Sequence, residues 1–143
     1  MRLLKGKVPL LPPGGMPLAY IDGVVHVHLA AAERGRRGER YLVADEHTTV
    51  RELARVALEL DGSKRPLPKS APAWFVRTLA AVSAPVARVL GIEPLVAPGE
   101  VKFLLWNVQV DATRAQRGLG FVPTPMREGI AKTIAALRMS GSL

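Results

Sequence analysis

The sequence predicts an α/β fold of the helix-rich α+β kind, a small lobe in which a few short strands pack with about five helices. Three features carry this expectation. Hydrophobic residues make up 48% of the 143 residues, enough to bury one core. They recur mainly at helical spacing, in stretches separated by glycine and proline. Runs with the aromatic and β-branched character of strands are short and few, too few for a complete doubly wound sheet.

Residues Met1 to Pro17 read as an irregular Pro/Gly-rich arm, because such a segment resists both a helix and a central strand. The lobe itself spans residues 18–143. Leu18 to Asp22 reads as a short strand. From Gly23 the pattern turns helical, with Val24, Val25, His28, Leu29 and Ala32 on overlapping faces until Gly35 stops it. Arg40 to Ala44 has strand length and strand composition. Thr49 and Glu52 stand at capping-box spacing and open a helix to about Leu60, with Leu53, Val56, Ala57 and Leu60 as its apolar stripe. Beyond the linker containing Pro66 and Pro68, Pro72 suits the first position of a long apolar helix to Leu90, which Pro85 should kink or split. Pro98 begins a shorter helix to about Leu105, and Trp106 to Val110 is a brief strand. Asp111 then caps a helix ending near Gly118 or Gly120. Thr124 and Pro125 start the last helix, which places Met126, Ile130, Ile134 and Leu137 on one face.

Composition excludes several classes of function. With no cysteine the chain builds neither disulfides nor Cys-ligated zinc or iron–sulfur sites, in keeping with a reducing, cytoplasmic setting. The charged N-terminus is followed by prolines rather than an apolar run, so neither an export signal nor a membrane span is expected, and no membrane is expected as a partner. The net charge of +8 is dispersed, and the tightest group, Arg34, Arg36, Arg37 and Arg40, is interleaved with Gly35, Gly38 and Glu39. With two Trp, two Tyr and three Phe, a base-stacking platform is hard to build, so the charge reads as a solvated surface rather than a nucleic-acid interface.

No catalytic residue and no metal ligand set is expected. His26 and His28 would share a face on a strand, but on a helix they diverge, and His47 alone does not complete a site. The adjacent pair Asp45 and Glu46 reads as a solvated corner, because carboxylates that share chemistry face one another across a gap. None of the serines lies in a Gly-x-Ser-x-Gly elbow. Gly14 and Gly15 sit among prolines and cannot run on into the helix that a pyrophosphate loop requires. Trp74, beside Phe75, and Trp106, beside Asn107, are the aromatic candidates for an apolar ligand pocket, with core packing as the competing use.

Several short motifs occur together in one order. Tyr20-Ile21-Asp22-Gly23-Val24-Val25 followed by His28-Leu29-Ala30-Ala31-Ala32-Glu33 resembles the His-Val-Asp-Asp-Val-Ala and His-Leu-x-Ala-x-Glu segments of extended short-chain dehydrogenase/reductases. Gly38-Glu39-Arg40-Tyr41-Leu42 with Thr49-Val50-Arg51-Glu52-Leu53 is similar to that family's Gly-Glu-x-Tyr-x-Leu and Thr-x-x-Glu-Leu. Asp111-Ala112-Thr113-Arg114-Ala115 and Leu119-Gly120-Phe121-x-Pro123 resemble its Asp-x-x-Lys-Ala and Leu-Gly-Phe-x-Pro.

The resemblance is to the NAD-dependent epimerase, dihydroflavonol-reductase and 3β-hydroxysteroid-dehydrogenase group, and covers its C-terminal, substrate-binding portion. It implies hydride transfer with NAD(P) in the parent protein. It also implies that this chain alone lacks the Rossmann half, the glycine loop and the Tyr-x-x-x-Lys pair, binds no cofactor by itself and is inactive. Tyr20 and Asp22 join Trp74, Trp106 and Asn107 as the expected substrate-binding residues, for an apolar or sugar-like small molecule. Gly23 departs from the pattern by standing where the second aspartate would be. The expected partner is a second copy or a separate cofactor-binding chain. The alternative is a stand-alone binding or interaction module that uses the former interdomain face, which would carry Leu18, Tyr20, Val24, Trp106 and Val108.

Overall fold

The structure, a computed structural model, describes residues 3–91 and 98–141. Among these, six helices accompany four short strands, each helix answering to a segment read as helical, and the helix-rich α/β class holds. The order is β1 (Leu10–Leu11), β2 (Gly15–Leu18), α1 (Ile21–Arg34), β3 (Glu46–Thr49), α2 (Val50–Asp61), β4 (Lys69–Ser70), α3 (Ala73–Leu90), α4 (Pro98–Leu104), α5 (Thr113–Leu119) and α6 (Met126–Met139).

The N-terminal arm is more regular than its prolines suggest. β1 pairs in parallel with β4, and β2 pairs antiparallel with β3, setting Gly15 opposite Thr49 and Leu18 opposite Glu46. Pro17 is tolerated for a reason visible in the ladder. Val50 N–H donates to Gly14 O at 3.1 Å, so by alternation Gly15 and Pro17 turn the amide side of their backbone away from β3. Gly15 N–H is taken by Trp106 O at 2.9 Å; Pro17, two residues on along that outer edge, has no N–H, and the pairing stops at the single bridge Gly15 to Asn107. The strand expected over Trp106 to Val110 is reduced to that bridge.

The strands expected at Leu18 to Asp22 and at Arg40 to Ala44 are also displaced. The first lies earlier, as β2, and α1 begins at Ile21 with Tyr20 as its N-cap. In the second, Tyr41 and Val43 pack on the core of Val27, Ala30, Ala112, Ala115, Leu119 and Phe121 that joins α1 to α5. The run therefore supplies side chains to the core while its backbone stays outside any ladder. β2 finds its partner in the polar segment Glu46–Thr49 instead, since pairing follows tertiary placement more than strand propensity.

The capping signals hold better. Glu52 N–H donates to Thr49 Oγ1 at 3.1 Å, and Gly62 closes α2 with a left-handed φ of 72°. The Glu52 carboxylate turns outward to Arg55 rather than back to Thr49, so half of the capping box forms. Asp111 caps α5 from one residue before the assigned N-cap Ala112, accepting from Thr113 N–H at 2.9 Å. Pro72 is the N-cap of α3 rather than its first residue, and α3 runs on through Pro85 without a break. Pro85 and Ala81 are both exposed, so water can reach the Ala81 carbonyl left without an amide donor.

Candidate substrate cavity

An apolar cavity of about 370 Å³ lies where the β2–α1 junction meets α2 and α6. Leu18 and Tyr20 form one wall and Leu53 and Ala57 of α2 another. The face of α6 carrying Met126, Ile130, Ile134 and Leu137 closes it, as the helical spacing of those four residues predicts. Leu3 and Leu4 of the arm lie across the same space. Its polar groups are few: Tyr20, Asp45, Thr124 and Thr133. Thr133 Oγ1 donates to Gly129 O at 2.7 Å, within its own helix.

Asp45 is the residue that sequence reading misplaced. It is no solvated corner, although its neighbour Glu46 is exposed. The half-buried Asp45 carboxylate accepts from Tyr20 N–H through Oδ2 and from Thr124 N–H at 2.8 Å through Oδ1, and its own N–H donates to Leu18 O at 2.7 Å. One side chain thereby fixes the entry to α1 and the loop before α6, the two rims of the cavity. Nothing in the local pattern announces it, because both amides it satisfies are distant in sequence.

Tyr20 lies under Lys132 Nζ, 5.4 Å from its ring centroid, and Lys132 in turn pairs with Glu128 at 2.7 Å. The hydrogen bond to Glu128 raises the Lys132 pKa. Gly129 makes the approach of α6 possible: a Cβ there would stand 3.3 Å from the Tyr20 ring. The two helices lining the cavity are also tied at the surface, by Arg127 to Glu59 at 2.7 Å and by Arg138 to Asp61 at 2.9 Å.

The expected site residues do not converge. Tyr20 lines the cavity, whereas Asp22 lines a separate hollow with Gly23, His26 and Glu128. Trp106 borders a third space, of about 210 Å³, beside Gly14, Gly15 and Val110, with the exposed Asn107 next to it. Trp74 is 67% exposed on α3, edge-on to Phe75. Among the described residues no group of three or more His, Asp or Glu could hold a metal, and His28 Nδ1 is bound to Val24 O at 2.7 Å.

Gly14 and Gly15 are not shaped as a cofactor cradle. A Cβ on Gly14 would meet Leu104 O at 2.5 Å and Trp106 O at 2.7 Å, so these glycines admit the 104–107 segment and lead into a strand. At Gly23, the position that departs from the dehydrogenase pattern, a Cβ would stand 2.8 Å from the ring of Phe121. The space of the absent side chain is filled by a core aromatic.

With this geometry in hand, the chain can be set beside known proteins. No family model matches it. It is 31% identical over 140 residues to sterol demethylase protein B of Methylococcus capsulatus, covering 96% of this chain and 42% of that protein. It is 27% identical over 139 residues to a Synechocystis protein provisionally named a dihydroflavonol 4-reductase, covering 94% and 40%. The chain thus spans about two fifths of the length of the curated relatives it matches. Among solved structures, gox2253 superposes with a TM-score of 0.81 at 27% identity, over 99% of this chain and 43% of that one. A nucleoside-diphosphate-sugar epimerase from Pseudomonas aeruginosa shares the fold with a TM-score of 0.77 at 23% identity, over 99% and 41%. Sequence and fold together support a partial domain similar to those of the epimerases and short-chain dehydrogenase/reductases.

Proposed function

We propose that this chain is the substrate-binding lobe of an NAD(P)-dependent extended short-chain dehydrogenase-like reductase or epimerase, and that hydride chemistry requires a cofactor-binding part supplied outside these residues. The cavity at the β2–α1 junction carries this reading. It combines apolar walls from two helices with a few fixed polar groups, the composition of a small-molecule site. The roles of the chain's own groups follow from their contacts. Asp45 holds the rims at a fixed separation, Tyr20 offers a ring face and a hydroxyl, and the α6 face excludes water. Solved relatives of this fold include an enzyme in complex with NAD+ and UDP, which supports a nucleotide-dependent parent.

Methyl and amide NMR of the chain decides between outcomes. Titration with a fused-ring ketone and, separately, with UDP-glucose should shift Tyr20, Met126 and Ile130 with at least one of them. Silence at the cavity with both probes would sink the substrate-binding role. Micromolar binding of NAD(H) or NADP(H) by this chain alone would refute the division of labour.

A second reading rests on a different observation. Along α1, Ile21, Val25 and Leu29 follow at four-residue intervals and are 61%, 50% and 63% exposed, an apolar stripe without cover among the described residues. It fits docking against a cofactor lobe or a second copy. Light scattering of the purified chain tests the latter: a dimer dissolved by Val25→Lys supports it, and a monomer at high micromolar concentration rejects it.

A further inference from the structure

We infer that α3 is a membrane-surface helix, docking the protein in-plane on a bilayer of anionic lipid. Val76, Ala80 and Ala87 bury the inner side of α3, which packs on α4. The outer side is Trp74, Thr78, Ala81, Val82 and Pro85, all exposed and none charged, with Phe75 at its margin edge-on to Trp74. Trp74 is 67% and Val82 58% exposed. An apolar helix that shows an aromatic to solvent has the character of an interfacial segment, with tryptophan suited to the headgroup boundary. No helix among the described residues is long and apolar enough to cross a membrane, and in-plane docking needs none.

Charge selects the occupant. From Gly62 to Ile92 the chain carries Lys64, Arg65, Lys69, Arg77 and Arg88 and not one aspartate or glutamate, so this segment supplies five of the net eight positive charges. Lys64, Lys69 and Arg77 are exposed. The exposed stripe on α1, by contrast, runs beside Asp22 and Glu33. Cations in a segment with no carboxylate between residues 62 and 92, which also carries the uncharged apolar face, complement the phosphates of an anionic leaflet and the acyl boundary beneath them.

Flotation of the full chain with vesicles tests this directly. Binding is expected to phosphatidylcholine vesicles containing about 30% phosphatidylglycerol, to be weakened by salt, and to be absent from pure phosphatidylcholine. Trp106→Phe leaves Trp74 as the single tryptophan, whose emission should shift to the blue and be quenched by brominated acyl chains. Trp74→Ser should weaken partitioning about tenfold, and Arg77→Gln about fivefold, each with unchanged circular dichroism. Val82→Ser, at an exposed position, repeats the test should Trp74→Ser not fold. Equal binding to neutral vesicles, an unshifted Trp74 spectrum, or partitioning indifferent to both serine variants would overturn the inference. A lipid-free homodimer dissolved by Trp74→Ser would overturn it too, assigning the stripe to a second copy.

Discussion

Replacing Asp45 by alanine should cost more stability than removing any exposed carboxylate in this chain. The Asp45 carboxylate accepts two backbone amides, from Tyr20 and Thr124, at a half-buried position. A hydrogen bond to a charged group contributes about 1.5–3 kcal/mol, and an amide left unpaired adds a desolvation penalty. Two such bonds, discounted because water reaches part of the site, give about 3–4 kcal/mol for Asp45→Ala. Asn keeps one oxygen and turns an NH2 toward the second amide, so Asp45→Asn should lose about half as much. Urea denaturation followed by circular dichroism measures both. A loss below about 1 kcal/mol for the alanine variant, or equal losses for Asn and Ala, would show that these amides are satisfied by water and that Asp45 does not set the cavity rims.

The other expectations are smaller. Thr49→Ala removes the oxygen that accepts from Glu52 N–H and should lower stability by about 1 kcal/mol, read from the denaturation midpoint. Gly23→Ala gains about 1 kcal/mol of helix propensity but drives a methyl into the buried Phe121 ring, a clash of about 1–3 kcal/mol. The net effect is a loss that Phe121→Leu partly restores, and a plain stabilisation would contradict the packing. Hydrogen bonds from Arg55 to Glu52 and from Arg127 to Glu59 hold both carboxyls below the usual glutamate range. Their contribution is therefore present at neutral pH and lost as pH falls through and below that range. Both pairs are exposed, so thermal melts should show a small acid-side loss that disappears in high salt.

Capping and periodicity were the legible part of the chain. Thr49, Gly62, Asp111 and Gly120 act within a turn of their own position, and the α6 face of Met126, Ile130, Ile134 and Leu137 needs only the helical repeat to be seen. Tyr20 lines the candidate cavity, and the ordered motifs around it mark the strand-to-helix junction. Strand positions read poorly. The run Arg40 to Ala44 has better strand composition than Glu46–Thr49, yet the latter pairs with β2.

The sequence alone determined the helices, their ends to within about two residues, and the kind of lobe they build, because these depend on side chains within a few residues of one another. Only the tertiary structure decided which segments pair, which faces stay exposed and what surrounds the cavity. Asp45 meets amides 25 and 79 residues away, Gly23 yields its space to Phe121, and Trp74 turns to solvent rather than into a pocket. Each of these is settled by contacts between distant parts of the chain, where packing and amide satisfaction outweigh local preference.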